Sequence, residues 1–105
     1  MNSENLKPES LSDKNLQARL NETEFPNLLL VLGKYIEFLR VSNNLSQEEL
    51  SKKCGVHRTY ISEVEHAKRN LSVGILYLIA SGFGLTMDEL LVKAMEHASE
   101  EEEKR

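Results

Sequence analysis

Two helix-start signatures constrain this chain more than anything else in it. In Leu45-Ser46-Gln47-Glu48-Glu49-Leu50 a serine precedes a glutamate by three positions, and leucines bracket the pair. The serine oxygen can accept the backbone N–H of Glu49 while the Glu49 carboxylate accepts that of Ser46, and the two leucines meet across the first turn. Leu85-Thr86-Met87-Asp88-Glu89-Leu90 repeats the device. Each signature satisfies N–H groups that a helix start otherwise leaves unpaired. The chain is thereby committed to sharply begun helices at both places.

The remaining helices follow from spacing. Pro26 suits a first helical turn, and Leu28, Leu32, Ile36 and Leu39 then recur at the helical period, with Leu29, Tyr35 and Phe38 alongside. Asn43-Asn44 ends this first helix, because asparagine tolerates the left-handed backbone. The second runs from Gln47 to about Cys54, where Gly55 supplies a positive φ. The third begins close behind Val56 and spans about 57–66. Its Ile61 and Val64 point inward, while Arg58, Thr59, Ser62, Glu63 and His66 fall on the opposite arc. Residues 67–70 are polar and read as a loop. Ser72 can cap a fourth, very apolar helix over residues 73–80, which Gly82 and Gly84 end. Met87, Leu91 and Met95 line the fifth. With no internal repeat and no alternating strand pattern, the expected fold is all-α, a compact five-helix domain over residues 24–96.

Both flanks differ in composition. Residues 1–23 form a polar N-terminal arm, read as mobile, although Leu6, Leu11, Leu16 and Leu20 could share one face of a weak helix from about Ser12. Residues 97–105 are an acidic tail, and its charge run from Ser99 to Arg105 is expected to fray into solvent. This partition matters for charge. The net charge is −4, but residues 1–27 carry −2, residues 96–105 carry −3, and residues 28–95 carry +1. In the middle, Lys52, Lys53, Arg58, Lys68 and Arg69 face only Glu63 and Glu65. A local basic stripe matters more to a phosphate backbone than the total does.

Several classes are disfavoured. The single cysteine, Cys54, can form neither an intramolecular disulfide nor a metal-binding thiol pair, which fits a reducing cytoplasm. It reads as a small buried residue at a helix end. The first twenty residues lack the apolar core of a signal peptide, and no apolar run approaches membrane-spanning length, so no membrane partner is expected. His57, His66 and His97 have no spacing that would gather a metal with Cys54. No catalytic constellation or phosphate-cradling glycine loop is visible. Neither cofactor, metal nor enzymatic activity is expected.

Two short helices joined by a tight glycine-containing turn form a device for reading DNA. The first crosses the backbone and the second presents its N-terminal residues to the major groove. Residues 46–67 meet that description. The elements Leu45-Ser46-Gln47-Glu48-Glu49-Leu50-Ser51, Gly55-Val56, Ile61-Ser62, Glu65, Lys68-Arg69-Asn70-Leu71-Ser72 and Leu85-Thr86-Met87-Asp88-Glu89-Leu90-Leu91 together resemble the Cro and phage-repressor-like helix-turn-helix family, also called the xenobiotic-response-element family. Arg58-Thr59-Tyr60-Ile61-Ser62 with Arg69-Asn70-Leu71 is similar to the controller proteins of restriction–modification systems.

The resemblance implies a repressor-like domain that regulates transcription by binding double-stranded DNA at a palindromic operator. It implies base reading by Arg58, Thr59, Ser62 and Glu63, and backbone contacts by Gln47, His66, Lys68 and Arg69. Arginine pairs with guanine, threonine meets the thymine methyl, and glutamate accepts from cytosine. Arg40 and Glu65 match a structural ion pair. A homodimer is expected through the fourth and fifth helices, with Val73 or Tyr77 free for the partner. Three departures stand out: His57 occupies a position where a good N-cap is usual, so the third helix is expected to start less firmly; Ala67 stands where glycine is common, so the turn after that helix is expected to differ; and the N-terminal arm and acidic tail lie outside the family pattern. The competing readings are a protein-interaction module and an antitoxin-type autoregulator, with the N-terminal arm as the surface for a protein partner.

Overall fold

The computed structural model describes residues 13–104, with side chains from Asn15 onward. Six helices follow in order: α1 (Asp13–Asn21), α2 (Phe25–Ser42), α3 (Gln47–Cys54), α4 (Arg58–Glu65), α5 (Val73–Gly82) and α6 (Met87–Glu103). The described residues are all-helical, with no strand. The count is one more than the five expected, and the addition lies in the N-terminal arm. Residues 1–12, with Leu6 and Leu11, lie outside the described residues.

Both capping boxes form. Ser46 Oγ accepts from Glu49 N at 3.0 Å, and Ser46 N donates to the Glu49 carboxylate at 2.9 Å. Thr86 and Glu89 repeat this at 3.3 and 2.9 Å. Ser72 caps α5 by accepting from Ile75 N at 3.1 Å. Hydrogen bonds from the backbone and hydroxyl of Ser46 hold the Glu49 carboxyl below the usual carboxylate range, and those of Thr86 do the same for Glu89. A carboxyl lowered in the folded state stabilises fully above its unfolded pKa, and the contribution is lost as pH falls through the folded value. Glu49→Gln keeps an acceptor but removes the titration. Its melting temperature is therefore expected to fall less than the wild type's on acidification through and below the usual carboxylate range, as read by thermal melts at several pH values.

The helix ends are equally specific. α2, α4 and α5 each close with paired bonds from the two residues after the cap: Leu45 N to Arg40 O and Asn44 N to Val41 O, Lys68 N to Glu63 O and Ala67 N to Val64 O, Leu85 N to Ala80 O and Gly84 N to Ser81 O. This Schellman arrangement needs a left-handed residue. Asn44 (φ 57°), Ala67 (φ 56°) and Gly84 (φ 73°) supply it.

The core draws on α2 to α6. Ile36, Leu50, Ile61, Val64, Ile79 and Leu90 are fully buried. α2 packs across α4 and α6, while α3 lies against α4 and α5. Cys54 is buried where α3 meets the end of α5. A Cβ on Gly82 would stand 2.8 Å from that of Cys54, so Gly82 serves close helix approach, whereas Gly84 makes the turn.

Beyond the core the helices run further than composition suggests. α6 continues through the acidic segment to Glu103 instead of fraying after Ala98. Its His97 ring packs 4.3 Å from Phe38 and 5.3 Å from Tyr35, centroid to centroid, and the glutamates that follow are good helix formers. Burial, with Glu96 and Glu100 nearby, pushes the Tyr35 hydroxyl up. At the other end, α1 joins α2 through Thr23, whose hydroxyl donates to Leu20 O at 2.7 Å and accepts from Phe25 N at 3.1 Å. No single helix among the described residues is long and apolar enough to cross a membrane.

Candidate nucleic-acid interface

The turn between α3 and α4 is set by Gly55, at φ 74°, whose N–H donates to Ser51 O at 2.8 Å. Val56 then inserts into the core, and α4 begins at Arg58. His57 proves to be a cap after all: its ring Nδ1 accepts from Thr59 N at 3.1 Å. The expected weak start is thus corrected, because an unprotonated imidazole nitrogen does what a serine oxygen does in the same place. At the other end Ala67 takes the left-handed conformation that glycine adopts more cheaply. Ala67→Gly is expected to stabilise the protein by about 0.5–1 kcal/mol, the relief of strain exceeding the extra unfolded-state entropy. Chemical denaturation checks this; a lower midpoint would refute it.

Between these ends α4 buries Ile61 and Val64 and turns its other face outward. Arg58 and Thr59 are exposed at its start, and Ser62 and Glu63 are half-buried one turn on. The Arg58 side chain makes no hydrogen bond or ion pair with the other described residues, and neither does that of Lys68. His66 is exposed, with Nδ1 2.8 Å from Ser62 O.

The other candidates are engaged with one another. Arg40 donates from Nε to Glu65 at 2.7 Å and from a terminal nitrogen at 3.1 Å, and also to Leu45 O at 2.9 Å. Gln47 completes the set, its amide donating to Glu65 at 3.0 Å. Glu65 is 4% exposed, so one buried carboxylate ties the ends of α2 and α4 to the start of α3. Glu63 and Arg69, expected to touch bases and phosphate separately, form an ion pair at 3.0 and 3.1 Å. The Arg69 guanidinium lies 4.6 Å over the Tyr60 ring, and the Tyr60 hydroxyl donates to Asn70 O at 3.3 Å. Tyr60 and Asn70 therefore join the site as supports for the loop after α4. Spacing puts Tyr60 at the flank of the outward face of α4, where it could pack or reach DNA, and gives no signal for Asn70, which lies in the loop beyond the helix.

Glu65 is neutralised by Arg40 and Glu63 by Arg69, so the exposed charge on and after α4 is the positive charge of Arg58 and Lys68, while on α3 Lys52 and Lys53 in the last turn stand against Glu48 and Glu49 in the first. Among the described residues no cluster of side chains could hold a metal ion.

A helix-turn-helix family model matches residues 36–90, from mid-α2 to the first turn of α6. Control protein C.BamHI of Bacillus amyloliquefaciens is 38% identical over 66 residues, covering 62% of this chain and 82% of that protein. The restriction–modification controller protein C.AhdI from Aeromonas hydrophila superposes with a TM-score of 0.56 at 32% identity, over 59% of this chain and 94% of that one. The controller protein C.Esp1396I, solved as a tetramer with its natural 35-base-pair operator, gives 0.57 at 34% identity, over 64% and 92%. The matched segment holds the capped turn, the outward face of α4 and the Arg40–Glu65 tie, and with them this chain belongs to the Cro/C1-type helix-turn-helix family, with restriction–modification controller proteins among its relatives.

Proposed function

We propose that the protein is a sequence-specific transcriptional regulator of the restriction–modification controller kind, binding a palindromic operator as a dimer. The observation that carries this reading is the state of α4: the side chains of its first exposed residues, Arg58 and Thr59, make no hydrogen bond or ion pair with other described residues, on a helix fixed at both ends. A side chain held ready on a rigid element suits base reading. Arg58 is placed to pair with guanine, Thr59 and Ser62 to contact neighbouring bases, and Lys68 to hold a phosphate. Arg69 reaches phosphate from its seat on Tyr60. Glu63 orients Arg69 rather than reading cytosine, and Gln47 keeps a free amide hydrogen for the backbone while it holds Glu65.

Dimerisation fits the apolar side chains left outside. Val73 is 71% exposed and Tyr77 58% on α5, with Val92 53% on α6. Exposed apolar surface of this kind marks a contact. A two-fold pair would set the recognition helices about 34 Å apart, one DNA turn.

The test is titration against DNA from upstream of the protein's own coding sequence and against random DNA, at several salt concentrations. Salt-dependent binding with preference for one sequence is expected; equal binding to both would end the reading. Arg58→Ala is expected to lose about 1–3 kcal/mol of discrimination at one base pair, while Lys68→Ala weakens all sequences alike and lowers the salt slope by about 1. A methyltransferase and a nuclease encoded alongside would support the controller assignment over a phage-type repressor; an adjoining toxin would favour an antitoxin.

A further inference from the structure

α1 lies outside the segment shared with the family, yet it reaches the loop that carries Lys68 and Arg69. Asn70 Nδ2 donates to Gln17 Oε1 at 2.8 Å, and Gln17 Nε2 donates to Asn21 Oδ1 at 2.9 Å. This chain of amides, spanning 53 residues of sequence at its first link, borders a cleft of about 590 Å³ between α1, the start of α2 and residues 67–70. Lys68 and Arg69 stand on one side of it, Gln17 and Asn21 on the other, and Phe25 and Leu29 contribute apolar surface. Among the described residues no carboxylate lines it.

The carbonyl oxygens of Gln17 and Asn21 each accept one hydrogen bond within the amide chain, whereas each amide nitrogen carries two hydrogens and gives at most one to its neighbour. The groups left over include N–H donors of Gln17, Asn21 and Asn70 beside the unpaired cation of Lys68, with Arg69 held by Glu63 at the edge. Such a cleft suits an anion that can accept several hydrogen bonds. The apolar surface of Phe25 and Leu29 suits a sugar attached to that anion, which favours a phosphodiester over a free phosphate ion.

We propose that the cleft seats a backbone phosphate of DNA flanking the bases read by α4, so that α1 extends the DNA-binding surface beyond the helix-turn-helix. This rests on the reading of the protein as a DNA-binding regulator. Lys68 supplies the charge, and Gln17 and Asn21 add neutral donors that sense where the phosphate sits.

The experiment uses the full chain, a Gln17→Ala/Asn21→Ala variant, and duplexes selected by the wild-type protein from a random pool. One set of duplexes carries single methylphosphonate substitutions through the flanks. α1 contributes no side chain to the buried core, so the variant should melt as the wild type does. It is expected to bind about 2- to 10-fold more weakly, the range that loss of one or two net hydrogen bonds gives. At one flanking phosphate, methylphosphonate should weaken the wild type by a larger factor than it weakens the variant, in which Lys68 alone still holds that phosphate. Penalties that simply multiply at every position, or a variant equal to the wild type on every duplex, would overturn the proposal while the wild type still binds DNA. If inorganic phosphate alone shifts the side-chain amide resonances of Gln17 and Asn70 without any such coupling, the cleft is a free-anion site and the proposal fails. If the wild type selects no duplex, both this proposal and the regulatory reading fall.

Discussion

Arg40→Ala is expected to destabilise the whole domain by about 3–5 kcal/mol, the range for removing one partner of a buried ion pair. Glu65 is 4% exposed and accepts three hydrogen bonds, two of them from Arg40. Its hydrogen bonds to Glu65 hold the Arg40 guanidinium above its ordinary pKa against the opposing effect of burial. Without Arg40 a buried carboxylate keeps only the neutral amide of Gln47, and Leu45 O loses a donor at the end of α2. Against a total stability of about 5–15 kcal/mol that loss is large. Denaturant unfolding measures it. Arg40→Met combined with Glu65→Leu should recover most of the stability, because replacing both charges by apolar groups removes the desolvation penalty with the attraction. A single substitution costing under about 1 kcal/mol would show that the pair does not hold the helices together, since that is the range of exposed pairs.

That expectation depends on a contact between residues 25 apart in sequence, and the distance marks what the sequence could reveal unaided. Ser46 with Glu49, Thr86 with Glu89, and the helix ends at Asn44, Gly55 and Gly84 were all legible. Each is settled within one helical turn, where residue type and backbone geometry leave little choice. Of the inward set, Ile36, Ile61 and Val64 were legible from period, and Leu50 and Leu90 from the leucine pairs that bracket the two capping boxes. The Arg40–Glu65 contact was accessible only through family resemblance, because nothing in spacing brings those two positions together.

The rest depended on partners that composition does not announce. Residues 13–21 are polar and short, and an isolated helix of that length is marginal in water. α1 forms against α2, with Thr23 bonded to the chain on both sides and Gln17 linked to Asn70. The acidic end of α6 reads as a solvated tail until His97 is seen packed on Phe38. At the reading face, Glu63 and Arg69 each suited a DNA contact, but their mutual pairing depends on how the loop after α4 folds back, and Ala67 sets that path. His57 misled for a narrower reason: capping preferences are dominated by oxygen acceptors, and a ring nitrogen at the same position is easily passed over.

Gly33 is the position where that non-local geometry should show most sharply. It lies mid-helix in α2, where alanine is ordinarily better by about 1 kcal/mol. Yet a Cβ at this position would overlap the carbonyl oxygen of Val64 and stand 3.1 Å from that of Glu65. Both obstacles are backbone at the end of the recognition helix, so no side chain can rotate away. Gly33→Ala must push α2 from α4 or disturb the turn in which Lys68 N bonds Glu63 O. Overpacking of this kind costs about 3 kcal/mol, enough to outweigh the gain in helix propensity. DNA affinity should fall beyond what the unfolded fraction explains, because Lys68 and Arg69 follow directly on the displaced turn. Gly74→Ala is the control. A Cβ there meets only Ser72 Oγ, at 4.0 Å, so the same change in α5 should be neutral or stabilising by up to about 1 kcal/mol. Opposite signs for these two substitutions, measured by denaturant midpoint, would establish the close seating of α2 on the end of α4, whereas stabilisation by both would rule it out.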